Sequence, residues 1–202
     1  DLRYFGPGAG ASFDVVADGN STTVFAGQLN FLADNGTGSG ALINGTLVTY
    51  CIDVLEPLGA GRNTYDLAAL EDSPVTAGGI APAMGLEKAE AIARMYTFAG
   101  GDQFGTDSDK SAAFQLAVWE VISDFGGDDP MSLTTGDFRV TSAVTLTTQS
   151  FLDDLLHAAT DGSVDIFPGL GALTNEGLQD QIYQVVVPLP GAAGMAAVGL
   201  AG

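Results

Sequence analysis

Two residues that lie far apart in the sequence could form a covalent bond with each other. Cys51 is the only cysteine of the 202-residue chain, so it cannot take part in an internal disulfide. Gln115 is predicted on the inner face of a helix, four residues before the only tryptophan, Trp119. A thiol that attacks a glutamine carbonyl carbon expels ammonia and leaves a thioester, provided that the groups are held in contact and water is excluded.

A simpler interpretation fits the same two residues. Cys51 would be a buried apolar filler, and Gln115 a buried amide whose donors and acceptor are hydrogen bonded. Residue types and spacing alone leave both interpretations open and favour the simpler one. A third possibility, a Cys–His dyad with the only histidine, His157, is weaker because His157 is predicted at a helix surface.

The elements that must position this pair are a β-rich region, a helical region and a closing strand. Turn signals and alternating apolar residues predict a β-rich region over residues 11–70, after a glycine-rich lead. In its second β-segment, residues 40–55, the side chains of Tyr50 and Cys51 point to opposite faces. Apolar periodicity predicts a helical region over residues 84–160. The three helices predicted in it cover residues 84–98, 109–124 and 145–160.

The order of these regions predicts an α+β fold. We expect an antiparallel β-sheet, or a small β-barrel or sandwich, with the helices as an insertion. Residues 164–174 are predicted to be irregular, and residues 181–187 to form a closing strand. Residues 1–188 would then be a single domain, followed by an apolar C-terminal tail over residues 189–202.

Charge and composition exclude several classes of function. The formal net charge is −19, with six basic residues, so a nucleic-acid or anionic-membrane surface cannot be assembled. No stretch is long and apolar enough to predict a transmembrane span, and no motif predicts a cofactor. Loop aspartates Asp102, Asp107 and Asp109 are weak calcium candidates, because they miss the EF-hand spacing. The unusual first residue, Asp1, suggests a chain numbered after processing.

Two segments of the chain carry a resemblance to a known family. Tyr50-Cys51 and the segment Phe114-Gln115-Leu116-Ala117-Val118-Trp119-Glu120 are similar to the two signature segments of bacterial thioester domains. In that family an aromatic residue or leucine precedes the cysteine. The glutamine follows a hydrophobic residue and is followed, after two positions, by a hydrophobic and an aromatic residue.

The resemblance implies a function as well as a bond. A member of this family would be a secreted cell-surface protein in which Cys51 and Gln115 form the thioester, supported and shielded by Tyr50, Phe114 and Trp119. A surface amine of a target, typically a lysine, would attack the carbonyl, so that the domain becomes covalently attached. This is a single acylation rather than turnover, and the protein would not be an enzyme.

The C-terminal tail suggests an alternative function. It begins Val187-Pro188-Leu189-Pro190 and resembles the start of a PEP-CTERM sorting tail of the VPLP variant, found on exported bacterial proteins. The alternative is a self-assembling structural subunit of an extracellular filament or surface layer, which binds other copies of itself through its terminal segments. Met195 and Leu200 would be the apolar anchors of the tail. Any Cys–Gln bond would then be only a stabilising staple.

Overall fold

The computed structural model describes residues 1–76, 82–101, 104–127 and 131–185. Eight strands and three α-helices cover this part of the chain. The strands are β1 (Leu2–Ala17), β2 (Asn20–Ala33), β3 (Gly45–Cys51), β4 (Arg62–Asn63), β5 (Asp66–Ala69), β6 (Phe138–Val140), β7 (Leu170–Thr174) and β8 (Gln181–Gln184). The helices are α1 (Gly85–Phe98), α2 (Ser108–Asp124) and α3 (Leu146–Thr160), and short 3-10 helices cover Gly38–Ile43 and Leu70–Asp72.

The strands form one curled antiparallel sheet in the order β4-β1-β2-β3-β8-β7-β5, and β6 pairs with β1. All three α-helices follow β5 and precede β7 in the chain, so they are inserted between two neighbouring strands of the sheet. The predicted α+β class, the antiparallel sheet and the helical insertion are therefore confirmed.

The central helix is α2, which contacts α3, β1 and β2 and lies within the main hydrophobic cluster. Its side chains are buried without interruption from Ser111 to Val121. The sequence predicted one inner face on this helix, and the structure instead buries it on every side. A helix that is apolar all around is typical of a position inside a core rather than on its surface.

A close approach of two glycines shapes the first hairpin. Gly10 on β1 faces Gly27 on β2, and both have positive φ angles, of 157° and 149°. A Cβ atom on either residue would overlap the main chain of the opposite strand, so only glycine fits. The register of the two strands shifts between Pro7 and Gly10, where β1 has one residue more than β2, so a β-bulge lies beside this contact.

Several local predictions were wrong. The predicted β-rich region began at residue 11, but the glycine-rich lead before it is the first half of β1, and residues 170–174 of the block predicted to be irregular form β7. The first part of the 40–55 segment is a 3-10 helix, because the strand begins only at Gly45.

Candidate functional site

The structure brings Cys51 and Gln115 into direct contact. The main-chain N–H of Cys51 donates to Oε1 of Gln115 at 2.8 Å, and Nε2 of Gln115 donates to the main-chain oxygen of Cys51, also at 2.8 Å. Gln115 is completely buried and Cys51 is 2% exposed. The amide of Gln115 thus uses a donor and its acceptor on one residue, across 64 positions of sequence.

This contact exists because the strand next to β3 ends early. The ladder between β2 and β3 stops at the pair Leu29–Thr49, so Cys51, two residues further on, has no β2 partner in it. On its other edge β3 pairs with β8 through Tyr50–Ile182 and Cys51–Gln181. Gln115 therefore occupies the position that the main chain of a neighbouring strand would take. A buried N–H and C=O that would otherwise be unpaired are satisfied by a side chain from α2.

Burial and nearby charges determine the protonation state of the Cys51 thiol. Sγ of Cys51 donates to the main-chain oxygen of Asp53 at 3.2 Å. Burial, and then the negative charge of Asp53, raise the pKa of the thiol, while the indole of Trp119 lowers it in part. A raised pKa keeps the group as a neutral thiol at neutral pH, so it needs a proton acceptor before it can act as a nucleophile.

Aromatic side chains enclose the pair on both faces of β3. Tyr50 packs edge-on against Phe114, with ring centroids 4.8 Å apart, and against Phe104 at 6.0 Å. Trp119, which is 2% exposed, packs against Phe138 of β6 at 5.8 Å. The residues expected to shield the site, Tyr50, Phe114 and Trp119, are therefore all buried beside it.

Two carboxyl groups that the sequence did not indicate lie close to Cys51, that of the half-buried Asp53 and that of the buried Asp180. Oδ2 of Asp53 accepts a hydrogen bond from the main-chain N–H of Asp180 at 2.9 Å. Burial, as the largest cause, raises the pKa of Asp53 to about 8 and that of Asp180 to about 6. Asp180 lies 129 residues from Cys51 and precedes β8, so only the β3–β8 pairing brings it here, and no local motif could have revealed it.

The other predicted residues lie elsewhere or serve the scaffold. Asp107 caps α2 by accepting from Lys110 N, and Asp109 accepts from the hydroxyls of Thr145, which caps α3, and of Thr148 in its first turn. Across the described ranges, no group of three or more His, Cys, Asp or Glu side chains could hold a metal ion. His157 is exposed on α3, whereas Cys51 is buried.

Some predicted residues lie outside the described ranges. Asp102, the third calcium candidate, is one of them. The assembly residues of the tail are the others: Val187, Pro188, Leu189, Pro190, Met195 and Leu200. The last residues predicted for the closing strand also lie there, and the described part of that strand, β8, ends at Gln184.

Comparisons with protein-family models, with curated proteins and with solved structures found no match for this chain. Within the described ranges, none of the helices has the length and apolar character needed to cross a membrane.

Proposed function

We propose that Cys51 and Gln115 join as an internal thioester, and that the protein uses this bond to attach covalently to amines outside the cell. The observation that carries the proposal is the pair of 2.8 Å hydrogen bonds that fix the Gln115 amide against the main chain of Cys51. The resemblance of both segments to bacterial thioester domains supplies the function.

The hydrogen bond from Cys51 N–H to Oε1 of Gln115 activates the side-chain carbonyl for attack. It withdraws electron density from the carbonyl and can stabilise the negative charge that develops on this oxygen during attack. Sγ attacks Cδ of Gln115, the thiol proton passes to the amide nitrogen, and the C–N bond breaks to release ammonia. The exclusion of solvent from the site protects the thioester from hydrolysis.

The second half of the proposed reaction is attachment. A neutral primary amine attacks Cδ of the thioester, the C–S bond breaks, and the nitrogen loses a proton while Sγ gains one. The products are an amide at Gln115 and a free thiol at Cys51. Each molecule reacts once, so the protein is a reactant rather than an enzyme.

Intact-mass spectrometry tests the bond. We expect the native protein to be lighter than its sequence by one ammonia, and Cys51→Ala and Gln115→Ala to show their full masses. Incubation with methylamine should add one methylamine to the native protein, and peptide mapping should place it on Gln115. A full native mass, with Cys51 freely alkylated after unfolding, would overturn the proposal.

A second candidate function, self-assembly as a structural subunit, is favoured by the outer edge of β1. In the described part of the chain, β4 pairs with β1 only at Leu2 and Arg3, and β6 only at residues 15–17. The edge between them is open, and Phe5 is 55% exposed there. Open edges are templates for pairing with another chain.

Sedimentation velocity and electron microscopy of the native protein distinguish the two functions, because assembly predicts concentration-dependent polymers and attachment predicts monomers that couple to amines.

A further inference from the structure

A pocket of about 530 Å³ is lined on one side by Trp119, a residue of the core. Its lining includes Ile52 and Asp53, which directly follow Cys51 in the chain, together with apolar side chains of neighbouring segments. These are Leu55, Pro74, Met84 and Ile122. The pocket therefore reaches the residues next to the thiol, and both Trp119 and Asp53 line the pocket and lie next to Sγ.

Trp119 lies at the boundary between the pocket and the thiol. Its indole is buried, lines the pocket and interacts with the Cys51 thiol, whose pKa it lowers in part. The position of Trp119 between the pocket and Cys51 makes it the inner wall of an entry path.

Asp53 also lies beside both the pocket and the Cys51 thiol. Its main-chain oxygen accepts from Sγ of Cys51, and the residue lines the pocket. The Asp180 N–H fixes Oδ2 of its carboxyl group. Asp180 is in turn anchored by bonds from Asn175 N at 2.8 Å and Val75 N at 2.7 Å, so the pair is held rigidly.

We propose that this pocket admits the attacking amine and that the Asp53 carboxyl group carries the proton between the amine nitrogen and Sγ of Cys51. The inference rests on the proposed thioester. As the amine attacks Cδ of Gln115, its nitrogen becomes positively charged and gives a proton to the Asp53 carboxylate. As the C–S bond breaks, Asp53 gives that proton to the departing sulfur, so that the carboxylate is regenerated and no other reactant is needed.

The lining also indicates the class of amine. Apolar walls bind an alkyl chain, and the carboxyl groups of Asp53 and Glu56, once ionised, favour a group that is cationic in solution. Lys88, a cation at the pocket, is held by the main-chain oxygen of Ile122, to which its Nζ donates at 2.5 Å. The ligand would therefore be a primary amine on an unbranched alkyl chain, and a longer chain should bind better than a single methyl group.

The pH dependence follows from the groups around Asp53. Burial, as the largest cause, raises its pKa to about 8, and the charges of Asp180 and Glu56 act in the same direction. The active form in this scheme is the carboxylate, so the rate per neutral amine should rise as the pH increases through that value. The other titratable groups that face this region are Cys51, Tyr65, Asp18 and Lys88.

The experiment uses the native protein with its thioester formed, verified first by mass. Methylamine and n-butylamine additions are followed by intact mass between pH 6 and 9 and expressed per neutral amine. Asp53→Asn keeps an acceptor for Asp180 N–H but cannot carry the proton. Asp18→Asn is the matched control, because it removes the same charge from an exposed position of the same pocket.

We expect the native rate to rise through an inflection near pH 8, and Asp53→Asn to react about 100-fold more slowly at pH 9 without that inflection. Asp18→Asn should behave as the native protein, and n-butylamine should react roughly tenfold faster than methylamine. A folded Asp53→Asn chain that lacks the ammonia loss also supports the relay, since bond formation needs the same proton transfer.

Three results would overturn the inference. A native profile without an inflection excludes the relay even if no variant folds. If the rate of amine addition depends on pH in the same way in Asp53→Asn and in Asp18→Asn, Asp53 does not carry the proton. If methylamine and n-butylamine react at equal rates, the amine does not enter through the pocket. A native protein without the ammonia loss overturns the proposed function itself, and the inference with it.

Discussion

At the scale of single residues, the site depends on a side chain that replaces a strand. Gln115 satisfies the N–H and C=O of Cys51 where β2 no longer pairs with β3. The sequence indicated that Cys51 and Gln115 could meet, through their flanking segments. It could not indicate the main-chain pairing, because that depends on where the β2–β3 ladder ends. It also placed no carboxyl group at the site, since isolated aspartates usually indicate solvated loops.

This pairing predicts a difference between two variants that both lack a thioester. Gln115→Ala leaves two buried main-chain groups of Cys51 unpaired, whereas Cys51→Ala keeps both hydrogen bonds. We expect Gln115→Ala to be less stable than Cys51→Ala by about 2–4 kcal/mol. Urea unfolding of the two variants measures the difference. Equal stabilities would show that the amide does not hold the end of β3.

At the scale of elements, the buried helix α2 was the most predictable part of the site. Apolar periodicity predicted a helix over residues 109–124, and the observed helix begins one residue earlier, at Ser108. Short elements were less predictable. The strand β7, Leu-Gly-Ala-Leu-Thr, contains little β-branched sequence and forms because β5 and β8 pair with its two edges.

Asp124, the last residue of α2, also fixes the position of Phe138, which packs against Trp119. The Asp124 carboxylate accepts from the main-chain N–H groups of Asp137 and Phe138, at 2.8 and 3.0 Å, and Phe138 packs on Trp119. We expect Asp124→Ala to lose about 2 kcal/mol of stability and to speed hydrolysis of the thioester, because Trp119 loses its support.

The control for Asp124→Ala is Asp153→Ala, which removes an exposed carboxylate of α3 that accepts only from its neighbour Gln149 among the bonds of the described residues. Denaturant unfolding gives the stabilities, and the gain of one water in the intact mass over time, as the thioester becomes a free thiol and a carboxyl group, gives hydrolysis. Unchanged values for both variants would mean that β6 does not depend on Asp124.

At the scale of the whole molecule, stability should depend on pH in an unusual direction. Burial, as the largest cause, raises the pKa of Asp53 to about 8, of Asp180 to about 6 and of Glu120 to about 7. Between about pH 4 and 8 the unfolded chain has released these protons and the folded chain still holds them. The free energy of unfolding therefore falls as the pH rises through this range, and the net charge of −19 acts in the same direction.

Thermal unfolding measured from pH 4 to 9 checks this dependence, with the highest melting temperature expected near about pH 4–5. Glu120→Gln should flatten the curve, because a neutral amide at this buried position no longer has to ionise. Its Oε1 can still accept from Ser132 N, as Oε1 of Glu120 does at 2.5 Å. The exposed change Glu87→Gln is the control. A melting temperature that rises steadily to pH 8 would contradict the prediction.

The main-chain amide of Cys51 gives the site a spectroscopic reporter. Its proton is bound to Oε1 of Gln115, deep in the core. An amide oxygen is a stronger acceptor than a thioester oxygen, so this nuclear magnetic resonance signal should move upfield when the bond forms and return downfield when an amine restores an amide. The same proton should exchange with solvent only through global opening. One resonance thus follows the chemical state of the site in an intact molecule, without a label at either reacting atom.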